Sequence, residues 1–231
     1  MNFSKVLNEA TMLLLEGLKM TVGISVLSIL IGVVVGLLTC FMGRSKNPVL
    51  RFIAASYVWL IRGTPMIVQA FLFFFAFPQV IGIFISGFKI SAFIAGVITL
   101  SLNAGAYMSE IFRGGIAAVD KGQMEAARSL GMSKTRAMFK VILPQAFRIC
   151  IPSLVNQFII TVKDTSILSA IGLSEIVNKA KIYVGKTYQF FATYILVAIF
   201  YLVIISILMV ISKFVEKKFS YDKKSSSKKS S

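Results

Sequence analysis

Long runs without charge alternate along this chain with short stretches that collect it. Met20 to Gly43 carries no charge for 24 residues. At about 1.5 Å per residue, a helix of that length crosses a hydrocarbon core of about 30 Å. The run is too long, and ends without the small-residue cleavage site, to be a signal peptide. Gly32 and Gly36 within it form a small-xxx-small pair that predicts close packing against a neighbouring helix. Gly63 to Phe88 is uncharged for 26 residues and predicts a second span, with Pro78 at its outer end. The ten residues Phe52 to Ile61 are too few to cross. They predict an interfacial segment or a cytoplasmic extension of the same helix, with Tyr57 and Trp59 at headgroup level. A third run starts at Ile90. A fourth starts at Ile149, is interrupted by Lys163-Asp164, and continues weakly through Leu173; a fifth covers Phe190 to Ile211. Five spans are thus expected near residues 20–43, 64–85, 90–111, 145–170 and 190–211, within one transmembrane domain of residues 1–212. Residues 213–231, rich in lysine and serine, are expected to be a disordered cytoplasmic tail.

Composition agrees with the pattern. The 231 residues are 57% hydrophobic and 15% charged, with mean hydropathy +0.83. Soluble domains run about 45–50% and about 25%, so a water-soluble enzyme is excluded. The expected fold class is all-α integral membrane, and the spans leave no room for a second domain. The net charge of +16 would suit nucleic acid if it lay along one soluble face, but the basic residues sit between and after the spans. Seventeen lysines and arginines fall on the side holding residues 44–51, 113–148 and the tail, against six on the other. That bias places the N-terminus outside and the C-terminus in the cytoplasm. Cys40 and Cys150 lie in or beside apolar runs and are expected to be free thiols.

Residues 113–148 are too long for a plain connector. Alanines, Leu130, Met132, Met138, Phe139 and Val141 alternate with charges in a helical rhythm broken at Gly131. This predicts a helix, a glycine turn and a second helix, with Pro144 opening the next element. Such a hairpin either offers a knob for another protein or rests on anionic lipid. The residues themselves favour the first. Glu125-Ala126-Ala127, three residues, Gly131, nine residues, then Val141-Ile142-Leu143-Pro144 resembles the EAA signature of permease subunits of ABC importers, with valine for the usual isoleucine. Arg62-Gly63-Thr64-Pro65, Glu110-Ile-Phe-Arg-Gly-Gly115 with Lys121-Gly-Gln-Met-Glu125, and Lys163-Asp164-Thr165-Ser166 are similar to the polar amino acid branch of that family.

The resemblance implies a type I ABC importer permease-like fold with a cytoplasmic coupling hairpin over residues 113–144. Glu125, Ala126, Ala127, Gly131, Leu143 and Pro144 would couple to the ATPase. The implied partners are two cytoplasmic ABC ATPase subunits, a second permease chain in a homo- or heterodimer, and an extracellular substrate-binding protein. A polar amino acid is the implied substrate. ATP and Mg would sit on the ATPase, with no cofactor on this chain and no nucleic acid.

Polar groups inside a bilayer usually face a cavity or the bundle interior. Asn103, Tyr107 and Glu110 share one helical face by their spacing of four and three, and Gln157, Thr161 and Asp164 repeat it. Asn156 and Lys163 lie on an adjoining face, and Gln69 adds an amide to the second span. These stripes would line a substrate path, or else satisfy one another, for instance Lys163 with Asp164 or Glu110. Lys163-Asp164-Thr165-Ser166 lies deep in the core, and helix unwinding at Thr165-Ser166 is expected to bare backbone groups to substrate. Arg62, Gly63, Thr64 and Pro65 are expected at an inner gate, with Thr64 capping and Pro65 in the first turn. Gly185-Lys186-Thr187 imitates a phosphate loop but lacks its first glycine, Ala180 standing there. There is no histidine, and neither cysteine has a partner at metal-ligand spacing. Two other readings stand beside the importer of amino acids: the same fold carrying another small solute, and a passive channel or scaffold.

Overall fold

The structure is a computed structural model that describes residues 3–219. Helix α1 (Phe3–Gly43) is a single rod of 41 residues, beginning well before the uncharged run. The charges at Glu9, Glu16 and Lys19 do not end it. The four-residue stripe Val6, Ala10 and Leu14, each at most 1% exposed, continues the buried face and packs on Ile176, Ala180 and Ala192. Hydropathy counts charge; burial needs only one apolar face.

Helix α2 (Pro48–Gly63) is capped by Asn47, whose side chain accepts from the Val49 amide at 2.9 Å. It meets α3 (Met66–Gly82) at a bend of 106°. Pro78 lies inside α3 rather than at its end. Residues Leu72–Ala76 form a π turn immediately before it, with the Phe77 amide donating to the Leu72 carbonyl. The wider turn absorbs the missing proline donor and the clash of its ring with the carbonyl four residues back. Helix α4 (Ala92–Ala117) opens on Ser91, whose hydroxyl accepts from the Ile94 amide. It crosses α1 at the predicted glycine pair: a Cβ on Gly36 would stand 2.8 Å from that of Met108.

After α5 (Lys121–Ser129) comes α6 (Lys134–Ile171), which runs without a break from the hairpin into the membrane. Pro144 therefore opens no new element. A second π turn, Met138–Ile142, stands before it just as the first stands before Pro78. Nor does α6 unwind at Thr165-Ser166: it tightens into a 3₁₀ turn over Thr165–Ile171 and stops at Gly172, whose φ is +78°. Helices α7 (Ile176–Thr187) and α8 (Phe190–Phe219) complete the chain. Of the tail expected to be disordered from residue 213, residues 213–219 belong to α8, whose last turns carry Lys213 and Glu216; residues 220–231 lie outside the described residues. Among the described residues four helices are long and apolar enough to cross a membrane, and the bent α2–α3 pair makes a fifth crossing if it counts as one span.

Candidate functional site

Helix α5 is built to hold its shape at a small size. Asp120 caps it, accepting from the Gly122 amide at 2.7 Å. At the other end the Met132 amide donates to the Ala127 carbonyl at 3.1 Å and the Gly131 amide to the Arg128 carbonyl at 3.0 Å, the paired bonds of a Schellman stop. Gly131 supplies the φ of +81° that this stop needs. Arg128 closes the turn with a bond from Nη1 to the Met132 carbonyl, 3.1 Å. Ala127 is buried against the scaffold, whereas Glu125 and Ala126 face outward. Gln145 ties the hairpin to α6 by donating to the Gln123 side chain at 3.2 Å, and Met124 packs on the cluster of Phe112, Ile116, Ile142 and Cys150. Leu130, expected within a helical apolar pattern, instead stands at the tip and is 84% exposed. Leu143 is half-buried and Pro144 exposed, between two and three turns inside α6. The result is a firmly seated knob with a small, partly apolar outer face.

A second site forms where α2 bends into α3. Arg62 and Gly63 end α2, and Thr64 and Pro65 make the corner in extended conformation. Thr64 was expected to cap α3, but its hydroxyl donates back to the Leu60 carbonyl at 2.8 Å. Gln69, expected on the substrate path, is 3% exposed and serves the corner. Its Nε2 donates to the Ile61 carbonyl at 2.8 Å and to Thr64 Oγ1 at 2.9 Å, so it takes up acceptors that the bend leaves open.

Beside this corner the guanidinium of Arg62 lies 5.1 Å from the Tyr107 ring centre and 3.9 Å from the Glu110 carboxylate. Arg113, one turn along α4, donates to both Glu110 oxygens. Arg62 and the Tyr107–Glu110 stripe, assigned by sequence to gate and path separately, are one cluster. Arg113 was left out of both; its i,i+3 spacing from Glu110 was the available signal. Asn103 is half-buried one turn before Tyr107. Glu110 and Arg113 also line a recess of about 500 Å³ with Arg51 and Trp59.

The α6 stripe behaves differently. Gln157, Thr161 and Thr165 are 4%, 2% and 0% exposed and face into the protomer. Thr161 donates to the Gln157 carbonyl and Thr165 to the Val162 carbonyl, both local helix bonds. Lys163 is exposed, Asp164 half-buried, and Ser166 donates to the Lys163 carbonyl at 2.7 Å. The two stripes are therefore not equivalent: the α4 stripe carries its charge at an open surface, while most of the α6 stripe is turned inward. Among the described residues no group of three or more His, Cys, Asp or Glu side chains could hold a metal ion.

A bundle of spanning helices with a capped hairpin projecting from one end defines a type I ABC importer permease. The chain belongs to the family described as binding-protein-dependent transport system inner membrane component, which it matches over residues 28–221. It is 39% identical over 205 residues to a protein named as the putative glutamine transport system permease GlnP of Rickettsia typhi, covering 89% of this chain and 92% of that one. It is 37% identical over 205 residues to the arginine transport system permease ArtQ of Bacillus subtilis, covering 89% and 91%. Among solved structures it resembles an amino acid ABC transporter determined with histidines. There the TM-score is 0.88 at 38% identity, covering 94% of this chain and 99% of the other. The MetNI methionine transporter shares the fold at TM-score 0.74 and 19% identity, covering 90% and 96%. The chain is a multi-pass protein of the plasma membrane and a transport component rather than the ATP-hydrolysing one.

Proposed function

We propose that this chain is the membrane-spanning subunit of an ATP-driven importer of polar amino acids, paired with a second permease chain and served by an extracellular binding protein. Of two cytoplasmic ATPase subunits, holding ATP and Mg, one grips the α5 knob of this chain through Glu125, Ala126 and the exposed Leu130, and the other serves the second permease chain. Gly131, Leu143 and Pro144 keep the knob fixed to α6, so a push on it is delivered to a spanning helix. The observation that carries this reading is the capped, exposed hairpin on a helix that runs unbroken into the membrane.

At the corner, Arg62, Gly63, Thr64 and Pro65 form the inner gate, held shut by Arg62 on Tyr107 and Glu110. The substrate path runs over the open faces of Asn103, Tyr107 and Glu110 on α4 and of Lys163, Asp164 and Ser166 on α6. Gln69, Gln157, Thr161 and Thr165 support it from behind. A zwitterion suits a path that offers both a carboxylate and a lysine. Opening and closing result if ATP-bound and ATP-free ATPases bind the two states of the permease unequally.

The test is uptake of a panel of labelled amino acids into proteoliposomes containing the complete transporter. Uptake that requires ATP and collapses in E125K is expected. Flux that persists without ATP would establish a channel, and ATP-dependent uptake of another solute alone would move the substrate class.

A further inference from the structure

Between α6 and α8 lies a cavity of about 580 Å³ that belongs neither to the hairpin nor to the gate. It sits at the end of α8 where the apolar stretch gives way to Ser212, Lys213 and Glu216, and Ile111 at the hairpin end of α4 forms part of its wall. This is therefore the headgroup level of the leaflet on the hairpin side. Its polar pole consists of Ser153, Asn156 and Gln157 on α6 facing Lys213 and Glu216 on α8. Pro152, Ile159 and Met209 make the remaining wall apolar.

Two of the polar groups lack a partner. Gln157 is 4% exposed, yet the hydrogen bond at this residue is the one its backbone carbonyl accepts from Thr161. Its side-chain amide has none among the described residues. The buried side-chain atoms without a partner among the described residues are Ser28 Oγ, Gln69 Oε1 and Ser101 Oγ, so the Gln157 amide is open to the cavity it lines and offers an occupant both hydrogen-bond senses. Lys213 likewise has no ion-pair partner among the described residues. Glu216, one turn on, accepts from Ser212 at 3.1 Å and from no other side chain among the described residues. Lysine and carboxylate three residues apart share one helical face. Together they present an anion receptor beside an ammonium receptor.

We propose that this cavity is a binding site for an aminophospholipid, with its phosphate on Lys213 and its ammonium on Glu216. The glycerol and ester oxygens meet Ser153, Asn156 and the Gln157 amide. The acyl chains run from the cavity along the same face of α8, where Met209 and, two turns deeper, Leu202 are 46% and 66% exposed. A free amino acid carries the same pair of charges. It has no tail for the apolar wall, and the cavity opens at bilayer depth, which favours the lipid.

Native mass spectrometry of the full chain, purified in mild detergent with its co-purifying subunits, separates the two sources. The probes are dioleoyl phosphatidylethanolamine, dioleoyl phosphatidylglycerol and free glutamine. The expected result is one retained phosphatidylethanolamine, with retention lowered about tenfold by K213Q, as for loss of a charge-assisted bond. E216Q should erase the preference over phosphatidylglycerol. Q157L, apolar and of similar size, should weaken retention while leaving the melting temperature unchanged or raised. Equal retention in wild type, K213Q and Q157L overturns the proposal, as does glutamine binding that K213Q abolishes without any lipid preference. The readout is lipid bound, not solute moved, so its outcome is independent of the transport assay.

Discussion

Gly115 shows how one atom constrains this protein. A Cβ there would stand 2.1 Å from Cys150 Sγ and 3.0 Å from the Ala146 carbonyl oxygen, so α4 and α6 touch through a residue with no side chain. Cys150 fills the remaining space and donates to the Ile111 carbonyl at 3.3 Å. G115A is expected to destabilise the chain by about 1–3 kcal/mol through overpacking, read as a lowered melting temperature of the purified protein. Adding C150A, which removes the clashing sulfur, should restore part of the loss. Gln69 makes a second case. In Q69L the carbonyl of Ile61 loses its donor at a bend the chain still has to make. A loss of about 1–3 kcal/mol is expected, where a surface Gln→Leu would cost almost nothing. The sequence marked Gln69 only as polar within a span. Whether such a group meets substrate or satisfies a bent backbone depends on the corner, and a corner has no signature in hydropathy.

At the scale of elements, two prolines behave alike. Pro78 and Pro144 each read as the boundary of a helix, and each lies inside one, preceded by a π turn. The rule behind the reading is sound for an isolated helix. Here the neighbouring helices over-determine the direction of α3 and α6, and a single wide turn costs less than breaking the rod. The consequence for α6 is mechanical, because an unbroken helix transmits a displacement of the hairpin that a loop would absorb. The Schellman stop makes Gly131 the most exacting position of the hairpin, with φ +81°. G131A should cost about 1 kcal/mol locally. It should lower ATP-driven uptake, while G114A, on the exposed side of α4 with nothing within 4 Å of a new Cβ, should not. The motif spacing of the hairpin was legible because it is local: cap, alanines and glycine are fixed within a dozen residues.

For the whole molecule, the join between α1, α7 and α8 rests on a buried carboxylate. Glu175 is 0% exposed and caps α7, accepting from the Val177 and Asn178 amides at 2.9 and 2.7 Å and from the Tyr201 hydroxyl at 3.2 Å. Burial pushes its pKa up to about 7, against the opposing pull of those bonds. The folded protein thus holds this proton to a higher pH than the unfolded chain, whose glutamate titrates near its ordinary value of 4.5. Stability should fall as pH rises from about 4.5 to about 7, by about 3 kcal/mol at most, and stay level above that. Melting temperatures of wild type and E175Q across pH 4.5–8 check this: the variant should lack that slope. Membrane orientation is checked at the same scale by cysteine labelling in cells, with Cys40 and Cys150 replaced by alanine. K186C is expected to react with an impermeant thiol reagent from outside, and E125C only after permeabilisation.

Local order along the chain was enough to dictate the spans and the hairpin. Uncharged runs of bilayer length require helices, because backbone groups in hydrocarbon can be satisfied only within the segment. The spacing from Glu125 through Gly131 to Pro144 marks the hairpin and the family with it. Which polar residues meet was decided by packing instead. Packing joined Arg62 to Tyr107 and Glu110, far along the chain, turned Gln157 and Thr161 inward and assigned Gln69 to the backbone of a bend. It also carried α1 well past its uncharged core, because the partner for Val6, Ala10 and Leu14 is α7, near the other end of the sequence. Periodicity fixes which face of a helix is apolar, but the direction in which that face points depends on helices distant in sequence, and their packing is a property of the assembled bundle.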